Sequence, residues 1–304
     1  MCHGVDSIAD YSFPDGTGVC IGEKVGLLRM NRKPALRTHL LLLLAALAYV
    51  APLLWMIDTS LKHEVQAVRI PPVLIPHPIR WQNYVHVLRD PQFDFSLFAR
   101  NTLIIATLSA LGAMLSSSLV AYSLAKIRWR GRGLVFGIVL GSMMIPFPVF
   151  MVPLYRIFRE LGWIGTSLPL WVPAFFGIPF FIFLLRQFYL TIPRELSEAA
   201  VMDGCSHFGI WWRIMLPLTR PALLVVGLFS FMGAWNNFLG PLVYLTHQST
   251  FTLSVALQVY QSRSGGTSYN LLMAASVLII APVLILFFLA QRTFIRGIAT
   301  TGLK

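Results

Sequence analysis

The sequence predicts an all-α polytopic membrane protein with six membrane-crossing helices, both termini inside, and one long polar segment between spans 4 and 5. Three observations predict it. Of the 304 residues 56% are hydrophobic and only 12% charged, about half the charge that a soluble surface of this size needs. The apolar residues gather into runs, each near the roughly twenty residues that a helix needs to cross a bilayer. No stretches of about ten residues alternate apolar with polar side chains, which argues against a β-barrel.

Residues 1–36 mix Gly, Pro and both charge signs without apolar periodicity, and are read as a poorly ordered cytoplasmic tail. Met30-Asn31-Arg32-Lys33 has the basic character expected just before a first span, so residues 1–29 are expected to be a dispensable extension. Span 1 is expected over Leu40–Ile57 and span 2 over Thr102–Ala125. Span 3 is expected over Leu134–Tyr155 and span 4 over Ser167–Leu185. Span 5 is expected over Ala222–Leu245 and span 6 over Leu271–Ala290. The chain thus divides into the tail 1–36, a first helix with a long external loop (37–99), a transmembrane core (100–292) and a cytoplasmic C-terminal tail (293–304). Within the core, residues 186–220 form the polar segment.

Charge sets the orientation. With the N-terminus inside, sixteen of the 24 Lys and Arg residues face the cytoplasm, including Lys126, Arg128, Arg130 and Arg132. Five of the remaining eight lie in the 58–100 loop, and long loops weigh little in this rule. The net charge of +12 therefore reflects topology. Without a basic face carrying interleaved aromatics, nucleic acid is not an expected partner.

Prolines crowd spans 3 and 4: Pro146, Pro148 and Pro153, then Pro169, Pro173 and Pro179. Each frees a carbonyl and bends its helix, which hydrocarbon tolerates where neighbours or a cavity cover the site. Span 2 carries Ala106, Ala110, Gly112, Ala113, Ser116 and Ser117, small enough for close helix packing. The span cores hold no Asp, Glu, Lys, Arg or His, so they lack the usual chemistry of ion-coupled carriers. Asp58, at the outer end of span 1, is read as a solvated flank.

Other chemistry is excluded by pattern. Cys2, Cys20 and Cys205 have no paired spacing, and no His/Cys/Asp cluster has metal spacing, so no metal is expected. No phosphate-binding GxxxxGK[ST] loop is present, so nucleotide hydrolysis and cofactor binding are not expected of this chain. No serine or cysteine nucleophile arrangement marks an enzyme.

The polar segment is the most informative part. Pro193 and the acids Glu195 and Glu198 suit a helix start, and Gly204 suits its end. Ser206 suits the cap of a second helix, expected over His207–Leu216 and stopped by Pro217. Leu196, Ala199, Ala200 and Met202 offer an apolar patch with room for a partner to approach. On chemistry alone this is equally a docking surface or an amphipathic helix on the membrane. In span 5, Trp235, Asn236 and Asn237 lie about 22 Å from its start. Amides can bond sugar hydroxyls and an indole can stack on a sugar face, but the same residues can also join helices.

Glu198-Ala199-Ala200, Gly204, Ile214, Leu216 and Pro217 follow the spacing EAA-x3-G-x9-I-x-L-P without a gap. This resembles the signature loop of type I ABC importer permeases. Met202-Asp203-Gly204, the run Trp235 to Pro241, and the ending Gln291 to Gly297 with Thr301 to Lys304 resemble the carbohydrate branch, in particular the second permease of maltose and multiple-sugar transporters. The resemblance covers residues 37–304 and implies a cell-membrane, multi-pass subunit. It implies a heterodimer with a second permease, and two copies of a cytoplasmic ATPase that bind ATP and Mg. It also implies an extracytoplasmic solute-binding protein and surrounding membrane lipid. Glu198, Ala199, Ala200, Asp203, Gly204, Ile214, Leu216 and Pro217 would couple to the ATPase, and residues 246–270 would reach the binding protein. Trp235, Asn236 and Asn237 would lie on the translocation path for a sugar or sugar-like solute. Glycerol-phosphate compounds are also handled by that branch. The residues alone leave a stand-alone secondary carrier or facilitator open.

Overall fold

The computed structural model of the protein describes residues 36–91, 93–263 and 268–301. The expectations for residues 1–35, for Ser264, Gly265 and Gly266 in the 246–270 loop, and for Gly302 to Lys304 lie outside the described residues. The described residues are helical, with no strand among them.

By its internal contacts the chain divides into residues 1–49 and 50–304. The described part of the first unit is the opening half of α1 (Leu36–Ser60). Its leucines 40–44 are exposed, as suits a helix surrounded by hydrocarbon.

In the second unit α1 ends and α2 (Gln82–Arg89) follows an irregular loop. The central helix is α3 (Phe95–Lys126), 32 residues long. Asp94 caps it, accepting from the Leu97 N–H at 3.0 Å. The Ser96 hydroxyl and that N–H hold the Asp94 carboxyl below its usual range. α4 (Arg132–Ser142) and α5 (Phe147–Glu160) follow. A short turn (Leu168–Trp171) and a 3-10 turn (Val172–Phe176) lead to α6 (Pro179–Thr191). Next come α7 (Glu195–Met202), α8 (His207–Leu218) and α9 (Arg220–Trp235). α10 (Leu239–Tyr244), α11 (Leu253–Arg263) and α12 (Tyr269–Thr301) complete the chain.

Four helical stretches are long and apolar enough to cross a membrane, or up to six if each bent pair is one span. Spans 1, 2 and 6 are found as continuous helices. Span 3 is not: α4 and α5 meet at 101°. Pro146 causes the break, since it has no N–H to continue the ladder and sits extended (φ −70°, ψ 144°). Span 4 is assembled from pieces, with Pro169, Pro173 and Pro179 each near the start of one and Gly177 at φ +91° between the last two. Span 5 also breaks, because α9 ends at Trp235 and α10 begins at Leu239. Pro153 and Pro282, by contrast, lie inside continuous helices.

α3 is the hub against which α6, α9 and the 3-10 turn pack. Its small residues do what their size suggests: Ala106, Ala110, Gly112, Ala113 and Ser117 are buried. A Cβ on Gly112 would fall 2.5 Å from the Phe175 ring. Ser116 bonds the Ala174 carbonyl at 2.8 Å, and Ser117 accepts from the Ile178 N–H at 3.1 Å, so side chains on α3 satisfy the backbone that span 4's breaks leave free. Two apolar clusters lie along α3. One joins Ala113–Ala125 to α6, Ala200, Trp211, Met215 and α9; the other joins Phe98 and Ala106 to Val87, Phe93, Trp235, Leu253 and Ala274.

Asp58 differs from its expected role as a solvated flank. Its carboxylate lies 2.5 Å from Lys62 Nζ, and Lys62 is only 2% exposed. The Lys62 carbonyl, with that of Ser60, accepts from Asn83 at 2.8 Å. A buried cation needs its counter-charge. Asp58→Asn keeps an acceptor but removes the charge, so it is expected to cost about 1–3 kcal/mol. Thermal unfolding of the purified chain measures this, and an unchanged midpoint would refute the pair's importance.

Candidate functional site

The polar segment folds as two helices joined by a tight turn. α7 begins at Glu195, two residues later than Pro193 suggests, and carries Glu195 and Glu198 in its first turn, where the helix dipole favours acids. It closes on Gly204 at φ +77°. The Gly204 N–H bonds the Val201 carbonyl and the Cys205 N–H bonds the Ala200 carbonyl, both at 3.0 Å. This pair of bonds is the Schellman closure, which needs the left-handed conformation that glycine adopts most easily. Ser206 then caps α8, accepting from the Gly209 N–H at 3.2 Å.

α8 runs to Leu218, so Pro217 does not stop it. A π turn over Trp211–Met215 absorbs the proline: the Leu216 N–H reaches back five residues to the Trp211 carbonyl, and Pro217 follows. The stop comes at Thr219, where α8 and α9 meet at 83°. The Thr219 hydroxyl bonds the Met215 carbonyl at 2.9 Å.

The motif residues fall on two sides. Glu198, Ala199, Asp203 and Gly204 are exposed, as are Glu195 and Met202, the latter at 87%. Ala200 is buried at 6%, inside the cluster that fixes the segment to α3 and α6. The two alanines therefore differ, and only Ala199 presents itself outward. Ile214 and Leu216 pack half-buried against the same cluster, while Pro217 is exposed.

The strongest anchor is invisible in the motif. Trp211, 4% exposed, donates its indole N–H to Ser118 Oγ at 3.0 Å. Ser118 in turn shares a 2.7 Å hydrogen bond with the buried Tyr189 hydroxyl. One serine on α3 thus ties α8 and α6 together. The Trp211-Trp212 pair inside a polar stretch was the available sequence signal. Beside Glu198, a cavity of about 210 Å³ is lined by Lys126, Arg128, Arg194 and His207.

At the other end of α3, Trp235 is buried with its ring stacked on Phe231, centroids 5.5 Å apart. Its face is thus packed. Asn236 is exposed, and its amide donates to the Met232 carbonyl at 2.9 Å. Asn237 accepts from the Gly240 N–H at 3.1 Å and so starts α10. The break that interrupts span 5 is therefore held by the two asparagines. Residues 246–270 include α11, with Leu253, Val255 and Ala256 buried, and Asn101 bonds the Ser249 and Phe251 carbonyls at 2.9 and 3.1 Å. Among the described residues no cluster of three or more His, Cys, Asp or Glu could hold a metal.

Comparison with known proteins bears on this geometry. Residues 113–300 match the family described as binding-protein-dependent transport system inner membrane component. The chain is 35% identical over 281 residues to an arabinooligosaccharides transport system permease protein of Halalkalibacterium halodurans, covering 90% of this chain and all of that one. It is 32% identical to a trehalose/maltose transport system permease protein of Thermococcus litoralis, covering 90% and 99%. Its fold is similar to that of a chain in a bacterial ABC transporter involved in the import of the acidic polysaccharide alginate, with TM-score 0.76, 24% identity, and coverage of 87% and 97%. The family match spans most of the chain and includes the whole polar segment, and the chain therefore belongs to the binding-protein-dependent transport system inner membrane components, as a multi-pass membrane permease subunit of the ABC importer kind.

Proposed function

We propose that this permease carries a sugar or sugar-like solute in an ATP-driven importer, paired with a second permease and served by an extracytoplasmic solute-binding protein. Both termini and the segment 186–220 face the cytoplasm. There Glu198, Ala199, Asp203 and Gly204 dock on one of two ATPase subunits, which bind ATP and Mg; Ala200, Ile214, Leu216 and Pro217 set the segment's position. The single observation that supports this reading is the two-sided segment: an exposed acidic face on one side, and Ala200 and Trp211 pinned to the bundle on the other. A push on the exposed face then moves α8 with the spans. The sugar relatives support the solute class. Asn236, exposed at the break in span 5, is placed on the path, with Trp235 and Asn237 holding that break in shape.

Co-purification tests the assembly. The tagged chain should elute with an ATPase and a second permease, and solute transport by this chain alone in liposomes would overturn the reading. Glu198→Lys reverses the charge on the docking face. It should lower solute-stimulated ATP hydrolysis by about tenfold, in the range of a lost charge-assisted contact, with membrane insertion intact. Unchanged stimulation would remove Glu198 from the coupling surface.

A further inference from the structure

Two cavities adjoin where α3, α4, α7 and α8 meet, and Tyr122 and His207 line both. Their chemistry differs sharply. One, of about 210 Å³, is lined by Lys126, Arg128, Arg194, His207, Ser197 and Glu198, so cations outnumber the single carboxylate. Among the described residues no carboxylate lies within ion-pairing distance of Lys126, Arg128 or Arg194. The other, of about 290 Å³, is lined by aliphatic and aromatic side chains including Leu119, Val120, Ile127, Val135 and Phe208. Trp129 also lines the apolar lobe, close in sequence to Lys126 and Arg128 of the basic one. Leu119, Val135 and Phe208 are exposed, so the apolar lobe opens to the surface.

We propose that this double cavity is a binding site for an anionic phospholipid, with the phosphate in the basic lobe and an acyl chain in the apolar one. Each lobe alone is ambiguous, but together they select an occupant carrying both a negative head and a hydrocarbon tail. Clustered Lys and Arg beside membrane helices attract anionic headgroups, and an amphipathic indole suits the headgroup level. An acidic stretch of a soluble partner would fill the basic lobe and leave Leu119 and Val135 uncovered. Two carboxylates oppose these cations, the exposed Glu198 in the lining and Glu195, which acts electrostatically on Lys126, so Lys126, Arg128 and Arg194 still leave the lobe net positive. Because α7 and α8 supply Arg194, His207 and Phe208, the lipid braces the polar segment against α3 and α4.

The purified full-length chain, stripped of lipid in detergent, is titrated with palmitoyl-oleoyl phosphatidylglycerol and with the matching phosphatidylcholine. Native mass spectrometry counts the retained lipid. Phosphatidylglycerol should bind about tenfold more tightly. The double variant Arg128→Gln, Arg194→Gln removes two exposed cations and should erase that preference, a loss of about tenfold, while leaving phosphatidylcholine unchanged. Val135→Trp fills the exposed rim of the apolar lobe and should weaken both lipids. Equal retention of the two lipids, or variants that behave as wild type, would overturn the proposal. So would displacement of phosphatidylglycerol by inorganic phosphate with Val135→Trp silent, which would mark a free-phosphate site. Displacement by an added ATPase subunit would assign the cavity to a protein segment and overturn it as well. The titration needs only this chain and lipid, so its outcome is separable from that of the co-purification.

Discussion

Gly204→Val should reduce solute transport by at least tenfold while the chain still inserts and assembles. A Cβ at Gly204 meets nothing within 4 Å, so crowding is not the cause. The backbone is. At φ +77° a β-branched residue is strained by about 1–3 kcal/mol. The cheapest relief is to leave the left-handed region, which breaks the bonds from Gly204 to Val201 and from Cys205 to Ala200. α7 then loses its fixed angle to α8, and Glu198 and Asp203 no longer meet a partner together with the anchored half. Gly204→Asn is the control, because asparagine tolerates this conformation and should retain most activity. Uptake in reconstituted transporter, normalised to assembled complex, reads both variants. Wild-type transport by Gly204→Val would show that the turn's geometry is not needed.

Trp211→Ala should be the most destabilising of the single changes considered, by about 3–5 kcal/mol. It empties a site 4% exposed and removes the donor to Ser118. The site cannot collapse easily, because Ile210 and Met215 beside it are fully buried and already packed. Trp211→Phe separates the two contributions. It keeps most of the volume and should lose about 1–2 kcal/mol with the hydrogen bond. Thermal unfolding of the purified chain measures both. Equal midpoints for Trp211→Ala and wild type would mean that α8 is not anchored through this residue.

Sequence patterns carried the local grammar well and the directions poorly. Gly204 and Ser206 were legible because their roles are set within a few residues, by φ and by one hydrogen bond. The small-residue face of α3 was legible because size alone decides how close a neighbour comes. Span 3 was legible as an apolar run bent by its prolines, though not by how much, and span 5 was legible as an apolar run but not as a broken one. Hydropathy reports what a segment is made of, and the 101° bend at Pro146 is a matter of where it points. Pro217 misled for the opposite reason: a stop residue was absorbed by a wide turn that only the fold can specify. Ala199 and Ala200 read alike, yet the helix's rotation against α3 buries one and exposes the other. The Asp58–Lys62 pair was missed because part of its surroundings comes from elsewhere in the chain: Trp55 of the same helix lies under Lys62, but Asn83 and Tyr84 reach Lys62 and Ser60 from α2.

The 83° corner at Thr219 has a mechanical consequence. α9 is 16 residues long, a rigid arm of about 24 Å. With the corner as fulcrum, a tilt of about 10° at the short side sweeps the far tip through about 4 Å over that length. That tip is Trp235, beside Asn236 and the gap in span 5. α8, the arm on the other side of the corner, spans His207–Leu218, about 18 Å, so the same tilt shifts its start by about 3 Å and the far tip by about a third more.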